Sequence, residues 1–151
     1  MPRHAFTLVE LIVVLVIISA VAGLALPAYG SALARYRLDA AAYDLSRELD
    51  RAATHARATS TTVTIRFDTT NHVVGFDDLP ERITAATSFA FDLRESPRDA
   101  TFFSVDFSGT EDYQISGFGV PSSEGLIVLT NGGIERRIKV DAATGMSRVS
   151  R

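Results

Sequence analysis

One carboxylate stands where carboxylates are costly. Glu10 lies just inside an apolar run in which residues 11–26 carry no charge; Val, Ile, Leu and Ala dominate it, and only Ser19 and Gly23 interrupt them. An acid in such a segment costs about 2.5–3.5 kcal/mol at the centre of a bilayer and less near the headgroups, so it asks for a partner. If the chain is cut after Ala5, the new α-amino group of Phe6 lies four residues before Glu10, one helical turn. An amine and a carboxylate at that spacing pair within one chain or between neighbouring subunits. The chemistry on offer there is charge neutralisation in an apolar setting.

The other reactive side chains are scattered. His4, His55 and His72 follow no metal-ligand spacing, so no metal site is expected from them. Asp77, Asp78 and Glu81 offer oxygen ligands of the kind calcium takes, but without EF-hand spacing they read as a solvated loop. Cysteine is absent, which excludes disulfides and thiolate chemistry. No G-x-S-x-G elbow, phosphate loop or dinucleotide fingerprint occurs. The expectation is no enzyme and no cofactor. A basic cluster remains: Arg136, Arg137 and Lys139, with Arg148 and Arg151 at the end of the chain. In a strand, Arg137 and Lys139 share a face with Glu135, while Arg136 falls on the other with Ile134, Ile138 and Val140. If a terminal strand pairs beside them, a small positive patch forms that can meet phosphate groups. The plainer alternative is a solvated face balanced by Glu135 and Asp141, and a net charge of −3 argues for it.

Long elements must carry these residues. From Phe6 to Leu26 the run matches the about 20 residues of a membrane-spanning helix. Arg3 before it, and no further basic residue until Arg35, favour a cytoplasmic N-terminus with the remainder outside. Pro27 either kinks the helix or parts it into two. Residues 28–58 hold no other Pro and a single Gly, so one helix to about Thr59 is expected. Two stripes recur at helical spacing. The first is Tyr29, Leu33, Tyr36, Ala40 and Tyr43. The second is Leu38, Ala42, Leu45, Leu49, Ala52 and Ala56, an amphipathic face suited to covering a sheet. Arg35 with Asp39, and Glu48 with Arg51, suit the wet side.

After Thr59 the period changes to two. Val63, Ile65 and Phe67 alternate with polar residues, residues 72–76 read as the returning strand, and Phe89, Phe91 and Leu93 alternate again. Phe103, Val105 and Phe107 are expected to face inward, and residues 113–118 to form a short strand. The clearest hairpin joins residues 126–130 to 134–140 through Asn131-Gly132-Gly133, where Asn-Gly supplies positive φ. Residues 141–145 read as a turn and 146–149 as a last strand. The organisation is a leader (1–5), a transmembrane or filament-core helix (6–27), its amphipathic continuation (28–59) and an antiparallel β domain (60–151). The fold class is α+β: a long N-terminal helix, membrane-spanning in its first half, packed on one antiparallel sheet or two.

The order small residue, Phe6-Thr7-Leu8-x-Glu10, then an apolar run, resembles the processing site of type IV prepilins and type II secretion pseudopilins. The resemblance implies cleavage between Ala5 and Phe6 by a prepilin peptidase, N-methylation of Phe6, and a role for Glu10 in assembly. That family usually has Gly before the cut; here it is Ala5. Further on, Gly117-Phe118-Gly119-Val120-Pro121 through Gly125, the apolar residues 126–129, Ile138-Lys139-Val140 and Thr144-Gly145 are similar to the minor pseudopilin H and fimbrial T group. The implied role is a structural subunit at or near the tip of a secretion pseudopilus or type IV pilus. Its partners would be other minor and major pilins or pseudopilins, the inner-membrane assembly platform and inner-membrane lipid, with the C-terminal domain in the periplasm. The fimbrial T resemblance adds a possible DNA receptor, with Arg136, Arg137, Lys139, Arg148 and Arg151 as its contacts. An ordinary secretory signal cut near Ala20-Val21-Ala22, or a simple anchored domain, is the rival. The very short leader, the position of Glu10 and the helical sequence beyond argue against it.

Overall fold

The computed structural model describes residues 7–80, 88–110 and 112–150, with backbone alone at 24–28. The chain divides into two compact units, Met1–Leu33 and Ala34–Arg151. One α-helix, α1 (Leu8–Thr59), contributes to both.

In the first unit Thr7 caps the helix. Its Oγ1 accepts the Glu10 N–H at 3.3 Å, and its carbonyl accepts the Leu11 N–H at 3.2 Å. A threonine there satisfies an amide the helix leaves open, and the Glu10 carboxylate in the first turn meets the positive end of the helix dipole. Ser19 turns its hydroxyl back to the Leu15 carbonyl at 2.8 Å, so it presents no open donor to apolar surroundings. Every large apolar side chain of residues 8–21 is exposed, from 43% at Val14 to 74% at Leu8. The helix continues through Pro27, so two helices parted there is not the arrangement that forms. Among the described residues no helix is long and apolar enough to cross a membrane. The described side chains of the apolar run stop at Gly23, short of the about 20 residues a span needs.

In the second unit the amphipathic face is buried as expected: Leu38, Ala42, Leu45, Leu49, Ala52 and Ala56, joined by Ala41 and Ala53. Tyr36 and Tyr43, from the other stripe, are exposed. The helix stops because Ser60 takes a left-handed conformation, φ 55°, which ends the hydrogen-bond ladder. Eight strands follow: β1 (Val63–Asp68), β2 (Val73–Asp77), β3 (Phe89–Asp92), β4 (Thr101–Asp106), β5 (Asp112–Ile115), β6 (Gly125–Asn131), β7 (Ile134–Val140) and β8 (Ser147–Ser150). They form two four-stranded antiparallel sheets, ordered β3-β2-β1-β5 and β4-β6-β7-β8. The buried face of α1 and the inward residues of both sheets share one core. Rings tie the sheets together within it: Phe67 lies 5.9 Å from Phe102 edge-on and 5.1 Å from Phe107 stacked, and Phe107 stacks on Tyr113 at 4.4 Å.

Four local expectations change. Phe103 does not face inward; it is 68% exposed, and Phe102 is buried in its place. The pairing of β4 with β6 skips from Phe102 to Ser104, and this bulge turns the extra residue outward. The strand expected over residues 113–118 ends at Ile115, leaving Phe118 exposed in a loop. The tight turn of the β6–β7 hairpin uses Gly132 (φ 58°) and Gly133 (φ 79°) as its central pair. Asn131 pairs with Ile134 as the last strand residue, and its side chain donates to the Asp99 carbonyl at 2.6 Å. Finally, Asp39 reaches across to Arg136 instead of pairing with Arg35 along the helix. The Glu48–Arg51 pair does form, at 2.5 Å, but in a half-buried position.

Candidate functional sites

Two places can carry function. The first is the start of α1. Ala5 and Phe6 lie outside the described residues. Glu10 is exposed in the first helical turn, one turn after the position the processed amine would take, and its own amide is already held by Thr7. The apolar side chains beyond it have no cover within the chain's described residues. What this arrangement can do is bury itself against something else while presenting one carboxylate.

The second place is the outer face of β7 and β8. β8 pairs with β7 in the register Arg137–Ser150, Ile138–Val149, Lys139–Arg148. Lys139 and Arg148 are therefore cross-strand neighbours, and Arg137 shares their face, two residues along β7. All three are exposed. Each also has acidic company. Lys139 contacts Glu124 at 2.6 Å, and the hydrogen bond and charge of that carboxylate hold the ammonium above the ordinary lysine range. Arg137 lies 3.6 Å from Glu135. Asp141 is held below the usual carboxylate range, chiefly by the Thr144 amide and hydroxyl and the Ala143 amide, with a smaller contribution from Arg148. Arg136 is not part of this face. It is 9% exposed and its guanidinium meets both oxygens of Asp39 and the Glu135 carbonyl. Arg151 lies outside the described residues. Glu81 of the acidic loop does as well; Asp77 there pairs with Arg66 at 2.6 Å.

Sequence reasoning missed the polar ties that fasten α1 to the β strands. Besides Asp39–Arg136, Asp50 accepts from the Ser147 amide and hydroxyl, both at 2.9 Å, and Ser46 Oγ lies 2.6 Å from Ser147 Oγ. Ser147 opens the edge strand β8, so this contact closes an amide that would otherwise invite another strand. Arg57, in the last turn, donates to the Gly119 carbonyl at 3.2 Å and the Thr144 carbonyl at 2.6 Å. The signal for the first tie was present: a basic residue on the apolar face of a strand must find an acid.

Arg57 also explains the glycine-rich loop. Gly119 has φ 71°, and the Arg57 side chain lies where a Cβ would stand. Pro121 is buried and bridges to Ile115, and Gly125 leaves room only for the ring of Phe107. Gly119, Pro121 and Gly125 are thus packing requirements, whereas Phe118 and Val120 are left outside.

Residues 1–26 match the prokaryotic N-terminal methylation motif. No curated protein sequence matches the chain. Crystal structures of the type IV minor pilin FimU from Pseudomonas aeruginosa (strain PAO1) share the fold. The form in space group P21 superposes with a TM-score of 0.59 at 17% identity, covering 78% of this chain and 90% of that one. The P65 form gives 0.53 at 16% identity, covering 76% and 93%. The N-terminus carries a prepilin-type motif, and the long helix on two antiparallel sheets is the fold of a type IV minor pilin.

Proposed function

We propose that this chain is a structural subunit of a filament: a minor pilin or pseudopilin, cut between Ala5 and Phe6 by a prepilin peptidase and methylated on the Phe6 amine. The observation that carries the proposal is the uncovered apolar start of α1, bearing Glu10 in its first turn. Surface of that kind is stable only in lipid or against other apolar helices. The subunit waits in the inner membrane with its β domain in the periplasm, then moves into a bundle of related helices. Glu10 neutralises the Phe6 amine of a neighbour and so sets the register. The assembly platform and other minor and major pilins or pseudopilins are its partners. The likeness to a type IV minor pilin supports a pilus; the resemblance of residues 117–145 to the minor pseudopilin H and fimbrial T group supports a place at or near the tip of a pilus or a type II secretion pseudopilus. Co-expression with a prepilin peptidase tests the first step: intact mass should show loss of residues 1–5 and one added methyl group, and an uncut chain would overturn the proposal. A Glu10→Ala chain should be cut normally yet be missing from sheared filaments. Its normal entry would sink the role given to Glu10.

A second reading rests on the Lys139–Arg148 neighbours: a DNA receptor for uptake, contacting phosphates through Arg137, Lys139 and Arg148. Glu124, Glu135 and Asp141 beside those cations oppose it. Anisotropy of labelled DNA with the full chain, at low and moderate salt, separates the two readings. Salt-sensitive binding lost in an Arg137/Arg148→Ala variant would establish the receptor, and no binding at low salt would leave the structural subunit alone.

A further inference from the structure

We propose that His72 is an acid-sensitive clasp between the two sheets. His72 closes the β1–β2 turn with φ 59°, a left-handed conformation that histidine takes more readily than most side chains. Three contacts fix its position. Its carbonyl accepts the Leu93 N–H at 3.1 Å, just beyond β3. Its ring lies 6.3 Å from the ring of Phe102. Its Nδ1 accepts the backbone N–H of Phe102 at 3.2 Å. Phe102 belongs to β4, an edge strand of the other sheet, whose strand partner among the described residues is β6. The imidazole therefore closes an edge amide and joins the two sheets in one bond.

That bond needs a lone pair on Nδ1, which exists only in the neutral ring protonated on Nε2. Protonation turns Nδ1 into a donor facing another donor, and the bond is lost. Among the described residues, the charged groups around this turn have partners of their own, although Asp68 lies near enough for its charge to act on His72. Asp68, in the same hairpin, is occupied by the amides of Thr70 and Asn71 and the Asn71 side chain. Asp92, on β3 opposite Val73, is met by Arg94 and its amide. Arg98 packs over Phe91 and pairs with Glu95, and Asp99 pairs with Arg37. β4 brings Thr101 and Phe102 here, and β6 brings Thr130 and Leu129 opposite them. Acid therefore opens β4 along its free edge, next to the exposed Phe103, while the rest of the sheet keeps its pairing with β6.

The test is amide exchange at Phe102, by NMR on the full ¹⁵N-labelled chain in detergent micelles at pH 7.5 and 5.0. After correction for intrinsic rates, protection at Phe102 should be lower at pH 5.0 than at pH 7.5, by about tenfold or more, because the proton binds only the open form. Amides of β6 should hold. The ring nitrogen shifts should report the Nε2–H tautomer at pH 7.5. A His72→Asn variant supplies the control: asparagine tolerates the left-handed conformation, and its Oδ1 takes the place of Nδ1 without titrating. In that variant Phe102 protection should not depend on pH. Equal protection of Phe102 at both pH values in the native chain, or a fall of equal size in His72→Asn, would overturn the clasp.

Discussion

One helix obeys two different rules in the two units of this chain. Over residues 34–59 it buries one face, eight small or branched apolar side chains deep in a shared core, and keeps Tyr36 and Tyr43 outside. Over residues 8–21 its large apolar side chains are exposed on every side. The first stretch completes its packing within the chain; the second cannot. The residue types hardly differ, since Leu, Val and Ala serve in both. The arrangement differs: an apolar stripe fits a sheet, whereas an apolar cylinder fits lipid or other helices. The stability of the domain and the surface left for burial outside the chain are therefore written into separate parts of one element.

That separation can be broken by the same substitution in each part. Leu49→Ala empties a site in the core and should destabilise the β domain by about 2–5 kcal/mol, the range for buried leucines. Leu15→Ala removes as many atoms from an uncovered position and should leave the domain's thermal midpoint unchanged, within about 0.5 kcal/mol. Melting of both variants as full chains in micelles, followed by near-ultraviolet dichroism, measures this. Equal losses would mean that the two stretches pack as one unit.

A smaller effect distinguishes the ties between α1 and the sheet from the pairs on the outer face. A double-mutant cycle on Asp39 and Arg136 should show a coupling of about 1–2 kcal/mol, because Arg136 is enclosed while Asp39 keeps some water. The same cycle on Glu124 and Lys139, both well exposed, should show none measurable. A strong Glu124–Lys139 coupling would mark the outer face as structural and leave less of its charge for phosphate.

Where the fold was legible, the information was local. The stripe on α1 declares itself every three or four residues, and the β6–β7 hairpin is marked by its flanking strands, although its central pair lies one residue beyond Asn131-Gly132. The failures came from distance or from a single inserted residue. Phe103 was misread because a bulge adds one residue to β4 and reverses the alternation beyond it, which no pattern of period two records. Asp39 had a satisfactory partner in Arg35 four residues away; its actual partner lies 97 residues on and is chosen by how the helix sits on β7. The N-terminal motif was legible for the opposite reason. The matched motif spans residues 1–26, and its meaning lies in residue order. The outer basic face was legible only in part: the alternation separated Arg136 from Arg137 and put Glu135 beside it, but Glu124, which offsets Lys139, comes from the loop before β6.

The smallest expected effect concerns the turn before β8, where the second unit depends on exposed polar bonds instead of its core. Asp141 accepts from the Ala143 amide at 3.0 Å, the Thr144 amide at 2.9 Å and the Thr144 hydroxyl at 3.0 Å. These bonds favour the ionised carboxylate and hold it below its ordinary value. A carboxyl that is more acidic folded than unfolded contributes stability above the unfolded value, about 3.9, and loses it as pH falls through the folded one. Asp141→Ala should therefore lower the thermal midpoint slightly at pH 6–7, and its curve should rejoin that of the native chain at low pH. The turn leads directly to Ser147, whose amide and hydroxyl fasten β8 to Asp50, so amide exchange at Ser147 should quicken in the variant. An offset that persists unchanged into strong acid would mean that the turn depends on the shape of Asp141 and not on its charge. The same loss in a Leu15→Ala background, with nothing added or removed, would show that the cover missing from the first unit plays no part in closing the second.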